Sequence, residues 1–218
     1  MYVNAFLDAL DAEVSLALKE LVDELKEDGI TLHHLDIGGG LGVPYETEAP
    51  SVKEYVAALA GRLTDRDLEL LLEPGRSIVA MAGALLTRVE YLKPNDIRQF
   101  AIVDAAMNDL LRPSLYGAWQ DIEAVRPREG EAETWDIVGP VCETGDFLGK
   151  DRVLCLSQGD LLAVMGAGAY GFSMASNYNS RTRPAEILVT GDRAHVIGQR
   201  ETLDALWERE VIPGGNMA

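Results

Sequence analysis

Two glycine-rich turns, each following a short apolar strand, constrain this chain most. Leu35-Asp36-Ile37 runs into Gly38-Gly39-Gly40-Leu41-Gly42, and the stretch Leu68–Leu72 ends at Glu73-Pro74-Gly75-Arg76. Between them, Ser51-Val52-Lys53-Glu54 reads as a capping box that opens a helix to about Leu63. Upstream, Phe6, Leu10, Val14, Ala17, Leu21 and Leu25 share one helical face and Gly29 is a natural stop, so the periodicity predicts a helix over residues 3–28. Helix, strand, helix, strand is the signature of a parallel α/β sheet or barrel. Glycine lets backbone N–H groups approach an anion with no Cβ in the way, and an arginine adds a permanent forked charge. The pair of turns therefore reads as a phosphate cradle at the carboxyl ends of two parallel strands.

After Gly75 the pattern changes. Segments 99–103, 134–138, 152–156, 160–165, 185–190 and 193–198 read as strands separated by turns such as Gly191-Asp192, and helical periodicity returns over Glu201–Glu210. The expected fold class is α/β plus all-β. Residues 1–83 form an α/β portion, and 84–218 form a β domain with a short terminal helix. Two βα units cannot close a barrel, which needs eight.

Charge narrows the partners. The 19 basic and 36 acidic residues leave a formal net charge of -17, so a nucleic acid would be repelled at long range. No stretch approaches the roughly 20 apolar residues of a membrane span. Met1-Tyr2-Val3-Asn4 carries neither a basic region nor a signal-like core, and Cys142 and Cys155 do not make a disulfide scaffold. The expectation is a cytoplasmic protein with no membrane partner. His33, His34 and His195 are too few and too scattered for a zinc site.

Several motifs carry chemistry. In Glu73-Pro74-Gly75-Arg76, Pro74 sets one φ and Gly75 permits an unusual one. Glu73 at the strand end can face a cofactor ring nitrogen, and Arg76 can hold a phosphate or carboxylate. Gly166-Ala167-Gly168-Ala169-Tyr170-Gly171 satisfies a dinucleotide-binding pattern, but Phe172–Asn179 makes a poor helix and Pro184 follows, so the βαβ context is missing. The segment reads better as a loop that lets Tyr170 reach over a flat ring. Arg112 and Tyr116, four residues apart, suggest a carboxylate clamp with a hydroxyl beside it. Gly139-Pro140-Val141-Cys142-Glu143-Thr144-Gly145-Asp146 sets a thiol next to a carboxylate at a loop tip, where it can move a proton.

In this order the motifs resemble the C-terminal part of the diaminopimelate decarboxylase family, fold-type III enzymes that use pyridoxal 5′-phosphate (PLP). The matching stretches are 33–42, 73–76, 111–117, 139–146 and 168–171, and the resemblance runs from about His33 to the C-terminus. It implies a partial (β/α)8 TIM-type barrel, its last units only, followed by a C-terminal β-barrel or sandwich domain. It implies that Gly40, Glu73, Pro74, Gly75, Arg76 and Tyr170 bind the cofactor. Arg76, Arg112, Tyr116, Glu143 and Tyr170 would bind substrate, with Glu143 on the distal amino group. Cys142 would be the catalytic proton donor. It also implies a homodimer with shared active sites, Cys142 and Glu143 entering the site of the other subunit. The implied reaction is decarboxylation of meso-2,6-diaminopimelate to L-lysine and CO₂, the last step of lysine biosynthesis.

One departure matters. The family anchors PLP on a lysine in a setting like Tyr-Ala-x-Lys-Ala-Asn, and none of Lys19, Lys26, Lys53, Lys93 and Lys150 has it. The family's ring-stacking histidine is missing too. The expectation is a truncated or split chain that is inactive alone. The alternatives are a related ornithine, arginine or carboxynorspermidine decarboxylase, against which Glu143 after Cys142 argues, and a non-catalytic regulatory homologue.

Overall fold

The computed structural model describes residues 12–63 and 67–213, and divides at Ala82/Gly83 into two compact units. In the first, helix α1 (Ala12–Glu27) leads to strand β1 (His34–Asp36), helix α2 (Val52–Leu63), strand β2 (Glu69–Leu71) and a short helix α3 (Gly75–Val79). The expected N-terminal helix is present from Ala12, and residues 3–11 of that expectation lie outside the described residues. It stops at Gly29, whose φ of +81° places it where a Cβ is disfavoured. The capping box at α2 is complete: Ser51 N–H donates to Glu54 Oε2 at 2.8 Å, and Glu54 N–H donates to Ser51 Oγ at 3.2 Å.

β1 and β2 pair in parallel, His34 opposite Glu69, Leu35 opposite Leu70 and Asp36 opposite Leu71. The ladder continues past their carboxyl ends, where Ile37 N–H donates to Leu71 O and Glu73 N–H to Gly38 O. Both turns thus emerge side by side. Beneath them Leu41, Tyr55 and Leu59 form a small core, joined by Ile37 and Leu72. The buried Tyr55 hydroxyl donates to Gly39 O at 2.5 Å.

The second unit is a six-stranded mixed sheet with the order β5-β8-β3-β4-β6-β7, its strands being β3 (Leu85–Lys93), β4 (Gln99–Val103), β5 (Ile122–Ala124), β6 (Glu133–Val138), β7 (Phe147–Leu154) and β8 (Leu161–Val164). Only β4 and β6 run parallel. The terminal strands β5 and β7 also lie against each other, so the sheet is nearly closed. Alternation puts Val89, Ala101, Val103, Ile137, Leu148, Leu162 and Val164 inside, all at most 1% exposed. A separate antiparallel hairpin, β9 (Glu186–Thr190) and β10 (Arg193–Gly198), turns at Gly191.

Two expectations are corrected. The helix over Glu201–Glu210 is not formed, and only a 3₁₀ turn, Asp204–Leu206, stands there. Leu203 and Trp207 are at least half exposed, so a helix would have no surface on which to bury its apolar side. Second, β7 begins at Phe147 rather than 152, because Gly149, Lys150 and Asp151 obscure its alternation and Asp151 sits at φ +54° inside the strand. Arg112–Tyr116, to which the sequence assigns no element, forms a short helix α4, with a proline in its first turn and Gly117 at φ +60° closing it.

Candidate active site

In the first unit the two turns meet so closely that only glycine fits. A Cβ on Gly39 would lie 2.7 Å from Glu73 O. Gly38 and Gly40 have φ of +68° and +97°, and Gly38 N–H is turned back onto Asp36 Oδ1 at 2.8 Å. Among the described residues the N–H groups of Gly39 and Gly40 have no acceptor. The second turn is braced by Gly75 N–H to Glu73 O and by Ser77 Oγ to Pro74 O, both 2.8 Å. Arg76 is half-buried, and no hydrogen bond or ion pair with a described residue engages its guanidinium. Unspent amides beside an unspent arginine suit an anion.

In the second unit α4 carries Arg112, with its guanidinium 5.5 Å from the ring centroid of Tyr116 and 5.3 Å from that of Tyr170. Its Nε is buried and has no acceptor among the described residues. A buried guanidinium donor with no acceptor is costly, and a ligand carboxylate removes that cost.

Tyr170 is held at φ +57° by a glycine-lined turn. Ala167 N–H donates to Gly83 O at 2.8 Å, and a Cβ on Gly83 would stand 2.6 Å from Gly168 Cα. A Cβ on Gly171 would run into Ala167 O. The fully buried Gln120 donates through Nε2 to Met165 O and Gly166 O, both at 3.1 Å. A 3₁₀ turn, Phe172–Met174, follows instead of a crossover helix, so the phosphate-binding context of a dinucleotide fold is absent here.

Cys142 and Glu143 are exposed on the tip of the 139–146 loop. The loop is pinned at its root. Asp146 accepts Met107 N–H and Val141 N–H, both at 2.7 Å, and Ser114 Oγ on α4 donates to Gly145 O at 2.5 Å. Burial pushes the Asp146 carboxyl above its usual range, against the pull of those two amides. At the tip, Tyr178 donates its hydroxyl to Glu143 Oε2 at 3.1 Å. Sequence reasoning gave Tyr178, Ser114 and Asp146 no role. The signal for Tyr178 was its place between Asn177 and Asn179, residues that accept unusual backbone angles.

The structure thus brings Arg112, Tyr116 and Tyr170 together, ties the Cys142–Glu143 loop to α4 through Ser114, and sets Gly40 beside the Glu73–Arg76 turn. The described residues hold no group of three or more His, Cys, Asp or Glu suited to a metal ion. No described helix is long and apolar enough to cross a membrane.

The family profile described as "Pyridoxal-dependent decarboxylase, C-terminal sheet domain" matches residues 12–168. The chain belongs to the pyridoxal-dependent decarboxylases. Among members of this decarboxylase family, the diaminopimelate decarboxylase of Vibrio cholerae is 57% identical over 209 residues, 95% of this chain and 49% of the relative. That of Pseudomonas aeruginosa is 58% identical over 211 residues, 96% of this chain and 50% of the relative. The crystal structure of diaminopimelate decarboxylase from Helicobacter pylori complexed with L-lysine superposes with a TM-score of 0.82 at 44% identity, covering 90% of this chain and 49% of that one. The chain spans about half the length of the curated relatives it matches.

Proposed function

We propose that this chain supplies the carboxyl-terminal portion of a PLP-dependent decarboxylase acting on meso-2,6-diaminopimelate and yielding L-lysine and CO₂. In this reading the first unit is the last part of a (β/α)8 barrel and the second is the C-terminal β domain, the boundary falling near residue 83. The observation that carries it is Arg112, buried at Nε, unpaired and flanked by Tyr116 and Tyr170. That is a receptor for a carboxylate in a chain whose family decarboxylates amino acids.

The residues present fit the cofactor. The free N–H groups of Gly39 and Gly40, the Glu73-Pro74-Gly75 turn and Arg76 would hold its phosphate, and Glu73 would face its ring nitrogen. When bound, PLP supplies the electron sink that lets an amino acid lose CO₂. The chain's own side chains do the rest. Arg112 and Tyr116 hold the substrate carboxylate, with the Tyr170 ring beside them. Glu143 takes the distal ammonium, which discriminates against amino acids that would leave it unpaired. Cys142 delivers a proton to the carbon that CO₂ has left. A homodimer in which Cys142 and Glu143 serve the second copy's site completes the reading.

The cofactor-anchoring lysine is not among the five lysines of this chain, so turnover requires a polypeptide that carries it. The test is CO₂ release from meso-2,6-diaminopimelate with PLP, by the chain alone and by the chain mixed with such a polypeptide. Turnover only in the mixture is expected, with Arg112→Ala abolishing most of it. Turnover by the chain alone overturns the lysine requirement, and none in the mixture despite PLP uptake favours a non-catalytic homologue.

A further inference from the structure

We infer that Tyr178 is a positioning residue that holds the Glu143 carboxylate, and with it the tip of the Cys142 loop, ready to receive a substrate ammonium. The assignment of the ammonium to Glu143 rests on the proposed function, but the positioning role rests on geometry. The Tyr178 hydroxyl lies 3.1 Å from Glu143 Oε2, which leaves Oε1 without a described partner. One carboxylate oxygen is thus steadied while the other stays open to a cation.

The backbone around Tyr178 is built for this. Asn179 and Ser180, next in sequence, sit at φ +58° and +54°, a region that residues bearing a Cβ rarely adopt. Such a conformation persists only where the surroundings impose it. Arg181 Nε donates to Asn108 Oδ1 at 2.7 Å and its terminal nitrogen to Asp104 O at 2.6 Å. On the other side Ser176 N–H donates to Asn108 O at 2.9 Å, and Asn177 Nδ2 donates to Arg181 O at 3.0 Å. Asn108 is buried, so both flanks of Tyr178 are anchored to one fixed point. Glu143 sits on a loop held by bonds of its own, through Asp146 and Ser114. The Tyr178–Glu143 bond therefore joins two rigid pieces, and a carboxylate oriented beforehand loses less freedom when it binds.

The same contact has a spectroscopic signature. The hydrogen bond to Glu143 and that residue's charge push the Tyr178 phenol above its ordinary value of 10.0, with smaller contributions from burial and from Cys142. Glu143 and Cys142 are the charged or titratable groups that act on it.

Tyrosine-Cζ NMR of the whole chain tests the pairing, the signal being assigned by its loss in Tyr178→Phe. The Tyr178 midpoint should lie above 10.0 and return toward it in Glu143→Gln, the other tyrosines staying in place. An unchanged midpoint in Glu143→Gln overturns the inference. Amide exchange tests the consequence: Tyr178→Phe should speed exchange at Glu143 and Asp146 several-fold, and Tyr91→Phe should not. Equal exchange in both overturns the positioning role. In the lysine-complemented enzyme, Tyr178→Phe should raise KM for meso-2,6-diaminopimelate roughly tenfold with kcat nearly constant, the size of one exposed charge-assisted hydrogen bond. An unchanged KM in an active mixture overturns the link to substrate, whereas absence of turnover in the unmodified mixture counts against the proposed function alone.

Discussion

Asp146 accepts Val141 N–H and Met107 N–H while its own N–H donates to Glu143 O, so one residue fixes both ends of the loop that carries Cys142. A Cβ on Gly139 would run into Asp146 Oδ2 and lie 2.6 Å from Oδ1, so no larger residue fits beside it. Asp146→Ala leaves the Val141 amide buried without an acceptor and should cost about 1–3 kcal/mol, read from the shift of a urea unfolding curve. Gly83 makes a parallel case. Its missing Cβ is what lets the Gly166–Tyr170 turn pack on the start of β3, and the atom it would strike is backbone, which cannot swing aside. Gly83→Ala should therefore lower stability by about 1–3 kcal/mol and move the Tyr170 ring resonance, which NMR would report. Cys142, Glu143 and Tyr170 are exposed.

At the scale of elements, the β9–β10 hairpin is the least supported piece. Ile187, Leu188, Val189, Val196 and Ile197 are all about half exposed or more, and a lone two-stranded hairpin is marginal in water. Its neck is closed by Arg183 and Glu201. Arg183 Nε donates to Glu201 Oε1 at 2.7 Å, Arg183 N–H donates to Oε2 at 2.8 Å, and Asn177 Nδ2 reaches Oε2 at 2.6 Å. Those donors, Arg183 first, lower the Glu201 carboxyl from 4.5 to about 2. A depressed carboxyl stabilises the fold fully above its unfolded value and loses that contribution as pH falls through its folded one. The stability difference between the wild type and Glu201→Gln should therefore be constant above about pH 4.5 and vanish toward pH 2, as followed by amide exchange in β9 and β10. A difference that persists unchanged at pH 2 would show that the clamp acts by packing and not by charge.

Across the whole molecule the two units are unequally built. Among the described residues, eleven buried ones form the core of the sheet unit, against three in the α/β unit, where Leu16 and Leu21 of α1 are more than half exposed. The sheet unit should therefore outlast the other, with amides of β6 and β7 exchanging last and those of β1 and β2 first. Leu162→Ala, at a fully buried site, should cost the sheet unit about 2–5 kcal/mol and leave exchange in β1 and β2 unaltered. Much of this was legible in the chain. The Ser51–Glu54 box, the Gly29 stop, strand 99–103 and the glycine turns at 38–42 and 73–76 are local matters of capping, alternation and φ, which neighbouring residues decide among themselves. The same holds for the resemblance carried by those motifs. The three-residue β5, the five-residue α4 and the early start of β7 were not legible, because elements so short have no period to read and exist only where a partner strand or loop completes them. Nor was the helix expected after Glu201 refuted by its own pattern; it fails because no described residue covers its apolar side. Sequence alone determined which residue types stand ready for an anion, a carboxylate and a proton. Only the tertiary structure decided that Arg112 lies unpaired between two tyrosines and that Tyr178 reaches Glu143, because contacts 35 to 58 residues apart depend on how the sheet curls and not on local preference.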